Sequence, residues 1–404
     1  MNEEYSLNLE FSQANLTEEE KRFAKEKISA LETPFFAKYS PECESIKEVA
    51  KKYKNKKNII IEANGGSIST IRAFSSCFSA DTDKNVFILD TDDPDYIAEL
   101  KKKCKKEDTL LMIINRSGNS IQTISGYLLL PEYETIFITI QGSTLFQIGQ
   151  AMDVPTCVTS AEDQPVSRFS GISEFHFIPA AILGIDIEGI AKGAQKMYAR
   201  CAPDSPSETN PALQFALHLD KLEKLGYTEL FLSIYSKKLW GFSELFVQLF
   251  HESVCKNGKG QTIYGSDAPE NQHHTLQRFN SGRKNSVAFF MTVENFQNDF
   301  AIKVPEAIKD IRCRNIDIAT FEKLSAADVI HTEFEGTWKD TIEEKNPVIN
   351  LQLKEVSPST AGMLVAFFQY AAYYSSILRD VNPFDQPGVE KSKEYIFQLV
   401  EDAE

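Results

Sequence analysis

Several short stretches of this sequence carry side chains able to do acid–base or anion chemistry. His251–Glu252–Ser253 is followed about twenty residues later by Gln272–His273–His274. A carboxylate and an imidazole brought together suit a base and a proton shuttle. The same groups suit a metal, but zinc sites on helices usually present His at i and i+4, and HExxH does not occur. Neither a metal nor an organic cofactor is therefore expected. Gly65–Gly66–Ser67 and Asn115–Arg116–Ser117–Gly118–Asn119–Ser120 combine small residues, hydroxyls and amides. A strand that turns into a helix through such residues exposes N–H groups at a positive helix end, which binds phosphate. Either stretch alone reads more readily as a turn and cap; two in one region bring the phosphate reading level. Arg168, within Ser167–Arg168–Phe169–Ser170, has the fork to clamp an oxyanion, although an isolated Arg is more often a surface ion-pair residue. Gln386 and Lys393 are seven residues apart. On a helix beginning near Gln386 they share a face, from which a lysine donates to a sugar oxygen or a phosphate.

These groups need elements to hold them. Short apolar runs predict strands over residues 58–63, 86–90, 110–114, 135–140 and 154–158, alternating with helical segments. That alternation implies a parallel, doubly wound sheet, with ligands at the carboxyl ends of its strands. A second cycle begins near Asn210, with strands over 229–234, 286–292 and 347–353 and a long amphipathic helix over 239–255. Thr17 and Glu20 make a capping box for a helix through Leu31, so the first 45 residues or so read as a helical arm. Pro203, Pro206 and Pro211 cluster at the joint between the halves. The organisation expected is an arm over 1–45, α/β units over 46–205 and 206–380, and a C-terminal helical segment over 381–404.

Composition excludes several classes. A formal net charge of −15 argues against general nucleic-acid binding, which needs a basic face. The lysine runs at 51–57 and 101–106 read as solvated surfaces. Seven widely spaced cysteines without a CxxC pair fit a reducing compartment, and the polar N-terminus shows no signal peptide. The stretch over 361–378 is uncharged, but its Gln369, tyrosines and serines favour a buried core helix over a membrane span.

The run Asn382–Pro383–Phe384–Asp385–Gln386–Pro387–Gly388–Val389–Glu390–Lys391–Ser392–Lys393 closely resembles the signature of the phosphoglucose (glucose-6-phosphate) isomerase family, Asn-x-Phe-Asp-Gln-x-Gly-Val-Glu-x-x-Lys. Other blocks are similar in the family's order: the Gly-Gly-Ser turn, the serine-rich phosphate loop at Asn115–Gln122, the Arg-Phe-Ser segment at Arg168, Tyr235–Ser236, Gln248–Leu249, Glu252–Lys256, and Gln272–His273 with Gln277. The resemblance implies two SIS domains, flavodoxin-like αβα sandwiches, in a homodimer. It implies interconversion of glucose 6-phosphate and fructose 6-phosphate through a cis-enediol, a step of glycolysis and gluconeogenesis, in the cytoplasm. Glu252 would be the base. His273, donated by the neighbouring subunit, would open the ring with Lys393. Arg168 would stabilise the enediolate, and Gln386 would contact substrate. Ser67, Asn115, Ser117, Asn119, Ser120 and Gln122 would bind substrate and its phosphate. The sequence departs from the family at Asn115, Arg116, Asn119, Gln122, Ser167 and Cys255, which bears on substrate range. A dual phosphoglucose/phosphomannose isomerase and a non-catalytic SIS-type regulator are the alternatives. Gln386 leans toward the glucose enzyme, and the retained Glu252 toward catalysis.

Overall fold

The computed structural model describes residues 7–12, 15–159 and 166–402. The outermost parts of the expected arm and C-terminal segment, and residues 160–165, lie outside them.

The first element among the described residues is strand β1 (Leu7–Ser12). Five parallel strands follow: β2 (Asn58–Ala63), β3 (Asn85–Leu89), β4 (Thr109–Ile114), β5 (Glu134–Ile140) and β6 (Thr156–Thr159). Their order is β3-β2-β4-β5-β6, the doubly wound order in which the first strand sits inside the second. β2 and β4 are buried throughout, as unbroken apolar runs with helices on both faces require. The next strands are β7 (Glu229–Ile234), β8 (Thr262–Asp267), β9 (Ser286–Val293), a small hairpin of β10 (Arg312–Cys313) and β11 (Ile316–Asp317), and β12 (Val348–Leu353). The second sheet runs β1-β12-β9-β7-β8. Four of its strands are parallel and repeat the first sheet's winding, while β1 pairs with β12 antiparallel. The protein is thus α/β, with two mainly parallel sheets flanked by helices.

The capping box of Thr17 and Glu20 is present, and helix Glu18–Ser29 follows it. The arm is not wholly helical, however, because β1 precedes that helix. Its apolar Leu7, Leu9 and Phe11 alternate with polar residues at the strand period of two. The strand β8 also differs from expectation. Its sequence, Thr-Ile-Tyr-Gly-Ser-Asp, has no apolar run to announce it.

Helix Pro358–Leu378 is the charge-free stretch. It has a Ser357–Thr360 capping box, 94% of its apolar window is buried, and it packs on helices Ile187–Arg200 and Pro211–Lys224. Each fully buried large apolar side chain contributes about 1.5–3 kcal/mol, so core burial accounts for its composition. The halves meet where helix Gly66–Phe78 lies against helix Phe242–Ser253. Across that contact Ser69 Oγ donates to Gln248 Oε1 at 2.8 Å, and Arg72 bridges Glu244 of the second half and Asp90 of the first.

Candidate active site

In the first sheet the winding reverses between β2 and β4, where a crevice opens at the strands' carboxyl ends. Ala63 pairs with Ile114 at that end, so the turns that follow the two strands are neighbours. The Gly65–Gly66–Ser67 turn leads into helix Gly66–Phe78, and the Asn115–Ser120 loop into helix Ile121–Leu129.

Asn115 organises its own loop. It is buried, its Nδ2 donates to Ser120 Oγ at 3.0 Å and Thr123 Oγ1 at 2.7 Å, and its Oδ1 accepts from Ser117 Oγ at 3.1 Å and the Gly118 amide at 2.8 Å. Gly118 has φ +65°, and an added Cβ would lie 2.7 Å from the Leu145 backbone nitrogen, so only glycine fits there. Ser120 caps the following helix, while Ser117 and Asn119 are exposed. The loop therefore offers hydroxyls and amides at a helix N-terminus on a rigid frame. Gln122 is turned elsewhere, with its Nε2 donating to the Asp90 carbonyl at 3.2 Å.

Behind the cradle lies Glu62, the next-to-last residue of β2, 1% exposed. Burial raises its pKa to about 8, helped by the Asp92 charge, against hydrogen bonds from Asn64 and Thr123.

Gly66 holds the cradle to Arg168. A Cβ on Gly66 would stand 2.4 Å from the Arg168 backbone nitrogen, so the absent side chain permits that approach. His176 ties the two segments as well. Its ring nitrogens face Gly66 O at 3.0 Å and Ser170 O at 2.9 Å, and complete burial lowers its pKa to about 4.

Arg168 is only 2% exposed, not a surface ion-pair residue. Its Nε donates to Ser253 Oγ at 2.8 Å, and its Nη2 to the carbonyls of Pro383 at 2.6 Å and Asp385 at 2.9 Å. Its Nη1 donates to Glu252 Oε2 at 3.2 Å and Gln386 Oε1 at 3.1 Å. A guanidinium has five N–H donors, and here five acceptors surround it. Burial lowers its pKa, against the charges of Glu252 and Asp385, yet an arginine remains charged. Glu252, at the end of helix Phe242–Ser253, also accepts from Gln248 Nε2 at 2.9 Å on its other oxygen. Ser69 in turn holds Gln248, so two elements of different halves orient this carboxylate.

Not every expected residue joins the cluster. Glu252, Arg168 and Gln386 converge. His273 lies exposed at the end of the turn Glu270–His273, without a hydrogen bond to Glu252. Lys393 is on the exposed helix Pro387–Glu401 and donates to Glu390 at 2.9 Å. Because that helix begins at Pro387, Gln386 is its cap, and its side chain turns to Arg168 while Lys393 points to the surface. Ser67 is buried in the first turn of its helix. His251 is structural: its Nε2 accepts the Ile263 amide at 2.9 Å. The geometry adds Gln248, Ser253 and Lys256. Each stood in a recognised sequence block or next to Glu252, but their partners are far away in the chain.

Two wound, mainly parallel sheets, with hydroxyls and amides at one strand-end switch point and a part-buried carboxylate–guanidinium pair between the halves, define an α/β protein with a candidate ligand site at its strand ends. No family model matches the chain. A glucose-6-phosphate isomerase of Acholeplasma laidlawii is 28% identical over 376 residues, 89% of this chain and 86% of that one. One of Methanocaldococcus jannaschii is 25% identical over 351 residues, 85% and 84% of the two chains. Among solved structures, a hypothetical protein of Thermus thermophilus superposes with a TM-score of 0.84 at 21% identity, over 94% of each chain. A glucose-6-phosphate isomerase of Chlamydia trachomatis gives 0.79 at 16% identity, over 98% of this chain and 88% of that one. Over most of its length the chain is thus similar to glucose-6-phosphate isomerases.

Proposed function

We propose that the protein interconverts glucose 6-phosphate and fructose 6-phosphate. The observation that carries this reading is the contact of Glu252 with Arg168 beside the strand-end cradle. The 6-phosphate sits in the loop of Ser117, Asn119 and Ser120, on the frame set by Asn115, with Ser67 in the adjoining helix turn. Glu252 removes the proton from C2 of the open-chain aldose and returns it to C1, through a cis-enediol. Such a base contributes on the order of 10²–10⁴ in rate. Arg168 supplies the fixed positive charge where the enediolate oxygen develops. All five of its donors are engaged in the free chain, so that oxygen must take one. The Nη1 contacts, at 3.1 and 3.2 Å, are the longest it makes and are the ones that exchange. Gln386 then turns its amide to the substrate.

Ring opening requires an acid near the ring oxygen. His273, exposed in its own chain, serves the site of a second subunit in a homodimer, with Lys393. The uncovered Tyr395, Ile396, Phe397, Leu399 and Val400 on the same helix as Lys393 support a second copy seated there. The two α/β units over 46–205 and 206–380 are taken as the domains. The seven free cysteines accord with a cytoplasmic enzyme.

The test is interconversion of the two hexose phosphates by purified protein without added metal, followed by a coupled assay. Lack of turnover by a folded protein would overturn the reading.

A further inference from the structure

The segment 382–386 carries Gln386 to Arg168, and its main-chain oxygens are gathered by two side-chain cations. Arg168 takes Pro383 and Asp385. Lys256, in the turn after helix Phe242–Ser253, takes the Asn382 carbonyl, the Asp385 carbonyl at 2.7 Å and the Asp385 carboxylate at 2.6 Å. An ammonium has three donors, and all three of these acceptors belong to one short segment. The Lys256 side chain is only 11% exposed, so it is held in this arrangement. Phe384 adds an apolar anchor, its ring 5.3 Å from those of Phe35 and Phe169 and 5.8 Å from Tyr373.

We propose that Lys256 is a positioning residue: it fixes the 382–386 loop so that Gln386 meets the substrate, without touching the substrate itself. The inference rests on the isomerase reading. Arg168 is the loop's other polar anchor through Nη2, and its Nη1 must re-engage as the enediolate forms; the guanidinium is one rigid plane, so Nη2 moves with it. A loop held by Arg168 alone would shift with that exchange. Lys256 shares the Asp385 carbonyl with Arg168, adds two acceptors of its own and has no part in the exchange. It therefore keeps Gln386 and the start of helix Pro387–Glu401 in place while the guanidinium changes partners. With Phe384 still packed, loss of Lys256 displaces the loop without releasing it. Misplacement by about 1 Å can cost on the order of 10²-fold in rate.

The experiment uses Lys256→Met, Lys256→Arg, Gln386→Ala and the Lys256→Met/Gln386→Ala double variant. Lys256→Met should lower kcat/KM by about tenfold or more through both KM and kcat, and Lys256→Arg should restore most of it. In the Gln386→Ala background the Lys256→Met effect should largely vanish, because both act through one contact. Additive effects, or unchanged kinetics in Lys256→Met, would overturn the proposal. Hydrogen exchange of the 382–390 amides in the unliganded protein should be faster in Lys256→Met, whether or not the protein turns over sugar. If wild type showed no turnover, the isomerase reading alone would fail, and unchanged exchange would then overturn the clamp. Should Lys256→Met not fold, Asp385→Ala removes only the carboxylate arm and leaves the main-chain contacts. It should give the same changes in smaller measure, and no change in it would count against Lys256.

Discussion

Arg168 Nη1 lies 3.2 Å from Glu252 Oε2, and the two residues come from different halves of the chain. Arg168 follows the first sheet and Glu252 ends a helix of the second, so the pair forms only when both halves have folded and docked. In the proposed mechanism, proton abstraction and charge stabilisation therefore depend on one interface.

Replacing Glu252 with Gln keeps the volume and the Gln248 contact but removes the proposed base. Substrate should still bind, while kcat falls by about 10²–10⁴. Steady-state kinetics with a direct binding measurement check this, and normal turnover would remove Glu252 from the role.

Lysine at position 168 keeps the charge but has three donors where five acceptors converge. Each buried acceptor left unpaired costs about 1–3 kcal/mol. Arg168→Lys should thus lower Tm and reduce kcat by about 10²–10³. Thermal unfolding and kinetics on the same preparation test both parts.

The cradle's two serines should separate. Ser117 is exposed and caps no helix, so Ser117→Ala should raise KM for the sugar phosphate by about tenfold with Tm unchanged. Ser120 caps helix Ile121–Leu129, so Ser120→Ala should raise KM and also cost about 1 kcal/mol of stability.

Glu62 makes a pH signature. Its folded pKa is raised to about 8 from an ordinary 4.5, so the folded state binds its proton more tightly than the unfolded chain. Its contribution is fully present below about pH 4.5 and is lost as pH rises through 8. Glu62→Gln stays neutral, so Tm of the variant minus that of wild type should grow between pH 5 and pH 8. A constant difference would mean Glu62 is ionised throughout.

Shared sites make a mixing experiment decisive. If His273 serves the partner's Glu252, a mixed dimer of Glu252→Gln and His273→Ala subunits has one intact site. After full subunit exchange about a quarter of wild-type activity should return. No recovery with exchange confirmed would place His273 outside the neighbouring site.

The sequence was most readable where one element speaks for itself. The strands β2, β4, β7, β9 and β12 are apolar runs, and the boxes at Thr17 and Ser357 are local hydrogen bonds between residues three apart. The two strand-end turns could be placed from their neighbours, and Glu252 through the family resemblance. What escaped depends on contacts distant in the chain. β1 had the right alternation in Leu7, Leu9 and Phe11, but it had no visible partner until β12. Taken apart from the family resemblance, Arg168 read as a surface residue, because the carbonyls that bury it lie more than two hundred residues later. The shared helical face expected for Gln386 and Lys393 failed because Pro387 starts the helix one residue after Gln386, leaving that side chain free to turn inward.

The antiparallel seam between β1 and β12 gives this molecule an awkward order of assembly. Leu7 pairs with Leu353, so this strand must wait until its partner, far later in the chain, has been made before it finds its place. Until then the flank of β12 is open to any other extended peptide. Deleting the first dozen residues would leave it so permanently, and the truncated molecule would be inclined to stick to its own copies.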